Sequence, residues 1–288
     1  MSDDADLNAL LDSIALELHN EQTNTGYIHP DLYNRTADRI MQGVFDGLGG
    51  KEFGYDDPRN QLGGYLQQNV YAFSAAKSLY QMQHFAKLMV SEDGGIREFT
   101  AFRNKVQDAG YIFNKTWLET EYNTALASAE GIDLWHSFSD DEILQISTVG
   151  DDRVRPEHAL LDGFTAKKTD PVWRKIWIPF DFNCRCHIIP GLAKNIKDFT
   201  TNDLIKKGKV SKYFQNNPAL SKIVFDEQMP MMRVLGKTKG NNLFAIDHYR
   251  MNPIEKLLDT GLDAKGFNND EAAIKWFNSI KSNSSYDD

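Results

Sequence analysis

The spacing of apolar residues changes character once along the chain, near Gly131, and that change bounds the fold. Before it, apolar side chains recur at helical intervals; after it, the runs are short, β-branched or aromatic, and separated by turn residues. In the first segment Leu7, Leu10, Leu11, Ile14 and Leu18 fall on one helical stripe, and Asp3, Asp4 and Asp6 suit the positive end of the helix dipole. HPDLYNRTADRIMQGVFDGL reads as a second helix, opened by Pro30 near its first turn and stopped in the cluster Gly47, Gly49 and Gly50. A longer helix follows over NQLGGYLQQNVYAFSAAKSLYQMQHFAKLMV, with Leu62, Leu66, Val70, Phe73, Leu79, Met82 and Phe85 at helical spacing and SEDGG as its close. Met82, Met89 and the aromatics of these helices read as core. IREFTAFRNKVQDAGYIF and NKTWLETEYNTALASAEG make two further helices, so residues 1 to 130 are expected to be mostly helical.

Beyond Gly131, IDLWHSF, EILQISTV, RKIWIPF and RCHIIPG carry a strand signature and predict a compact β-containing lobe over about 131 to 193. After Gly191 the chain turns basic, with Lys194, Lys197, Lys206, Lys207, Lys209 and Lys212 close together. Weak helices are expected at 201 to 208 and 252 to 261, a better one over DEAAIKWFNSIK, and a frayed tail at SNSSYDD. The fold class is therefore α+β: a helical N-terminal half, a small β-rich lobe, and an extended C-terminal region with short helices.

At 288 residues the chain has room for a sizeable core and two lobes, and its 41% hydrophobic and 25% charged residues are those of a globular protein. Two cysteines exclude a disulfide framework. The acidic start lacks the basic residues of an export leader, and the apolar runs are too interrupted for a spanning helix, so synthesis and folding in a cytoplasm are expected. A net charge of -9 argues against a surface that wraps nucleic acid throughout, but leaves room for local basic patches. The first Lys or Arg is Arg35, so the first thirty residues form an acidic arm. That arm either docks on a partner's basic surface or lies on the protein's own body.

The densest chemistry lies in two stretches of the β region. STVGDDRVRPEH places Asp151, Asp152, Arg153, Arg155 and His158 in a span too polar for a core strand. Arg155 is expected to pair with Asp152 or with a helical carboxylate such as Glu119 or Glu121, in a network that also orients His158. FNCRCHIIPG follows with Asn183, Cys184, Arg185, Cys186 and His187. On a strand, Cys184 and Cys186 share one face and Arg185 and His187 the other. Met by His158, the two thiols make three ligands suited to zinc; a fourth would have to be Asp181, His136 or water. The competing reading is two buried free thiols packed as small hydrophobes. A disulfide between residues two apart would close a strained ring.

Taken in order, NKTWLETEYNTALASAE, STVGDDRVRPEHALLDG and PVWRKIWIPFDFNCRCHIIPG resemble the phage Mu protein F-like family of minor head proteins, the phage head morphogenesis proteins. The matching positions are Thr120, Glu121, Asp151, Arg153, Arg155, His158, Gly163, Pro179, Asn183, Cys184, Arg185 and Cys186. Asp181 stands where the family often has a histidine, which weakens a histidine-rich metal site and leaves an oxygen ligand open. The resemblance divides the chain into a helical region at 1–94, a head-morphogenesis domain at 95–193 and an extension at 194–288. It implies a virion component, assembled in the host cytoplasm and placed in the head interior or at the portal vertex. Its expected partners are the portal protein, the major capsid protein and packaged DNA, and it carries over no catalytic residue.

Three functions follow as expectations. A structural minor head protein would use the Asp/Arg/His/Cys set as an internal knot. A metal-dependent nuclease or toxin-like effector would pair a metal-activated water with His158 and Asp152; no compact His/Asp/Glu cluster after 193 supports it, and His248 stands alone. A DNA-binding adaptor would use Lys206, Lys207, Lys209 and Lys212, whose alternative is a solvated charged face.

Overall fold

The computed structural model describes residues 2–21, 27–50, 57–192 and 199–234. Its elements run α1 (Ser2–Glu21), α2 (Pro30–Gly47), α3 (Pro58–Leu88), α4 (Phe99–Tyr111), a π-helical turn (Ile112–Trp117) and α5 (Leu118–Ser137). Then come β1 (Ile143–Thr148), α6 (Pro156–Ala159), β2 (Thr165–Lys167), β3 (Cys186–Pro190), α7 (Thr201–Gly208) and α8 (Pro218–Ser221). The fold is α+β. The described residues form two compact units, and neither is a run of consecutive sequence: those within 39–70 and 119–226 make one, and those within 2–38, 71–118 and 227–234 the other.

In the helical unit, α1 packs along α4. Leu7, Leu11, Ile14 and Leu18 are buried in one cluster with Met82, Phe85, Phe102, Val106 and Phe113, so the helix that opens the acidic arm lies on the protein's own body. Gly110 permits the close approach: a Cβ there would stand 2.4 Å from a methyl of Leu11. Gln107 Nε2 donates to Asp12 Oδ1 at 2.7 Å, and Lys115 pairs with Asp4 on the outer side. The two helices expected on either side of residue 113 are joined by the π-helical turn rather than by a loop. There the buried Asn114 amide donates to Gly110 O at 2.9 Å and to Gln81 Oε1 at 2.8 Å, pairing polar groups next to the change of helical pitch.

In the second unit the C-terminal half of α2 lies against α5. A Cβ at Gly47 would come within 2.4 Å of Leu126 O and one at Gly43 within 2.6 Å of Tyr122 O, so both glycines set the separation of these helices. The sheet has the order β2-β1-β3, antiparallel throughout, with Leu144 opposite Ala166 and Pro190, and Thr148 opposite Cys186. Leu144, Ile146 and Ile188 face a core of Leu161, Phe164, Trp173, Trp177 and Phe180. Trp177 Nε1 donates to Gly131 O at 3.0 Å and Trp173 Nε1 to Lys167 O at 2.8 Å, so both indoles are buried with their polar atoms satisfied.

Two of the expected strands are not strands. IDLWHSF continues α5 to Ser137, because Trp135 packs edge-on to Trp177 with centroids 4.9 Å apart and Ile132 is buried; this packing overrides local β-propensity. RKIWIPF begins in a 3-10 turn (Pro171–Arg174) capped by Asp170 and continues as an irregular stretch. Ile176 to Phe180 are all buried, so the inside–outside alternation of a half-exposed strand is missing, and Pro179 has no amide hydrogen for a ladder. β2 replaces them as the third strand. The helix expected at 201 to 208 is α7, with Thr200 and Asp203 forming a capping box. Lys194, Lys197, His248, the segments at 252–261 and DEAAIKWFNSIK, and the tail lie outside the described residues.

Candidate functional site

The strand register decides where the chemistry gathers. Thr148 ends β1 opposite Cys186, which begins β3, so the loop leaving β1 and the turn entering β3 emerge at the same end of the sheet. Gly150, at φ +75°, turns the first loop away from the strand. Pro156 then opens the single turn of α6, which buries His158 to 2% exposure. The return is fixed by Asp162, whose Oδ1 accepts from Thr148 N at 2.8 Å, and by Gly163 at φ +75°, whose N–H donates to Ile146 O at 2.8 Å. On the other side, Asp181 Oδ1 accepts from Phe182 N at 2.8 Å and Asn183 takes the left-handed conformation at φ 53°, a combination that short polar side chains tolerate.

Between these two segments run ties from residues far apart in sequence. Arg185 pairs with Asp151 Oδ2 at 2.7 Å. Arg155 donates to Phe182 O at 2.8 Å, with Asp181 Oδ2 3.8 Å away. Arg155 therefore reaches across to the second segment, and Asp152 and the carboxylates of α5 are not its partners; Glu119 instead pairs with Arg39 at 2.8 Å. The carbonyl wins because the turn at 181–183 aims it at the guanidinium. Asp152 and Arg153 are exposed, the latter's backbone N–H donating to Asp151 Oδ1, and Asn183 serves through its backbone.

At the centre, His158 Nδ1 lies 3.7 Å from Cys184 Sγ and 3.8 Å from Cys186 Sγ, with the imidazole edge-on to Phe180 at 5.7 Å. Both cysteines are free thiols, Cys184 half-buried and Cys186 buried. The pair loses its first proton easily and its second with difficulty. A hydrogen bond from Cys186, assisted by His158, holds Cys184 well below the usual thiol range, whereas the same bond and burial push Cys186 up. The three ligand atoms lie within 4.8 Å of one another. Asp181 and His136 do not join them: Asp181 is turned to Phe182 and Arg155, and His136 ends α5, where burial and the charges of Lys222 and Lys168 lower its pKa.

Of the basic stretch, Lys209 Nζ pairs with Glu157 Oε1 at 2.6 Å, tying the end of α7 to α6. Lys207 lies over the Phe199 ring and Lys212 over Tyr213, and Lys206, Lys207 and Lys212 are exposed. Sequence reasoning missed three participants: the Phe182 carbonyl, Asp162 and Glu157. Only Asp162 had a readable signal, as the Asp of an Asp-Gly turn.

The comparison with known families bears on this same stretch. Residues 94–189 match the family model described as Phage Mu protein F like protein. The match runs from just before α4 to the end of β3 and takes in the loop, the turn and the sheet that joins them. The match covers about a third of the chain. No curated protein and no solved structure matches the chain.

Proposed function

We propose that this protein is a Phage Mu protein F-like minor head protein of a tailed phage, acting at the portal vertex or on the inner face of the capsid during assembly and DNA packaging. The observation that supports this reading is how the charged residues of the matched segment are used. Asp151, Arg155, Asp181 and Arg185 are spent on holding the loop after β1 to the turn before β3, which is the behaviour of a rigid module. Rigidity of this kind suits a part that must present a fixed surface to the portal protein or the major capsid protein. The exposed Lys206, Lys207 and Lys212 offer the contact to packaged DNA. Among the described residues, no helix is long and apolar enough to cross a membrane.

Purified DNA-filled particles provide the test. Mass spectrometry is expected to find the polypeptide in them at low copy number, and deleting its gene to reduce the yield of filled heads. Absence from the particles together with a normal yield from the deletion would overturn the proposal.

A further inference from the structure

We propose that His158, Cys184 and Cys186 are the three protein ligands of a zinc site whose fourth position is taken by water. The inference stands on the geometry of this lobe and not on the protein's place in a particle, so either can fail without the other.

The position of Nδ1 carries the inference. An imidazole nitrogen has one in-plane lone pair or one N–H, and can serve only one thiol at a time. Here it lies 3.7 Å from one sulfur and 3.8 Å from the other, favouring neither. A nitrogen placed evenly between two sulfurs is what three ligands around a common cation require. With Zn–S near 2.3 Å and Zn–N near 2.0–2.1 Å, a tetrahedron has N···S edges of roughly 3.5 Å and an S···S edge of about 3.8 Å. The observed separations, all within 4.8 Å, need only small adjustment to reach those values.

Donor chemistry agrees. Two thiolates and a neutral imidazole select a soft or borderline dication over calcium or magnesium. The thiolates also neutralise its charge, so a largely buried site keeps no net charge. Each ligand is held from outside the site: Cys186 by the ladder to Thr148, Cys184 by its N–H to Asp181 O at 3.2 Å, and His158 by α6 and the ring of Phe180. Among the described residues no other His, Cys, Asp or Glu joins the group, and Cys184 is half-buried, so the fourth position opens on the Cys184 side. Loading releases whatever protons the two thiols carry.

The test uses the full chain, expressed without a histidine tag and supplied with zinc, then with cobalt in its place. About one zinc per chain is expected, and the cobalt form should show thiolate-to-metal charge transfer and the strong visible bands of tetrahedral coordination. Cys184→Ser, Cys186→Ser and His158→Ala should each lose the bands. His187→Ala, altering the exposed next residue of β3, should keep them, and His158→Cys should restore them with added charge transfer. Unchanged bands in the cysteine variants, or no metal on folded wild-type protein, would overturn the site. Should the variants fail to fold, wild-type protein still decides: zinc is expected to protect both thiols from alkylation, and equal labelling with and without zinc would overturn it.

Discussion

Around α1 and α4, Leu7, Leu11, Ile14 and Leu18 meet Phe102 and Val106 across a long helical contact, with polar pairs such as Asp12–Gln107 only at its margin. Around β1 the strands are six, three and five residues long, and the loops are drawn together by Arg155, Arg185 and His158. The first region gains its stability by repeating one apolar contact along a helix, so its register is set many times over. The second has few ladder bonds and one aromatic core, and its loops depend on single polar groups. Apolar burial supplies most of the stability in both, and polar ties choose the loop conformation only in the second.

That contrast can be broken by substitution, with stability read from urea unfolding followed by tryptophan fluorescence and circular dichroism. The largest effect is expected for Trp177→Ala, which empties the lobe core and removes the indole's bond to Gly131 O, at about 3–5 kcal/mol. Leu11→Ala removes one repeat of the helical contact and should cost about 2–4 kcal/mol. His158→Ala and the double change Cys184→Ser, Cys186→Ser should each cost about 1–3 kcal/mol, and normal melting of both variants would show the centre to be dispensable. Arg155→Ala loses a hydrogen bond to a carbonyl from a half-exposed guanidinium and should cost about 1 kcal/mol. Arg39→Ala, which breaks an exposed pair with Glu119, should cost about 0.5 kcal/mol or less. If Arg155→Ala exceeded Trp177→Ala, polar ties rather than burial would dominate the lobe and the contrast would be reversed.

The same contrast explains how much could be read in advance. The stripe Leu7–Leu18, the opening Pro30 and the glycines after α2 are local signals, and the helices they announce are present. IDLWHSF misled because Trp135 and Phe138 are good strand residues in isolation, and only the distant Trp177 reveals why they sit at the end of a helix. The stretch 176–180 misled because continuous burial looks alike in a core strand and in an irregular segment. At the site, the residue types were legible but not all of the pairing. Arg155 meets a backbone carbonyl, which any residue carries, so no side chain in the sequence marks the Phe182 partner.

The pairing of Thr148 with Cys186 has one more consequence. A sheet of such short strands resists sliding only weakly, and a slip of one residue would turn Cys186 outward and bring His187 in. Sulfur, sulfur and imidazole can meet only when the strands are correctly aligned. The trio therefore works as a latch that closes on one alignment and rejects its neighbours, giving a minimal sheet the fidelity that a longer one would draw from its length.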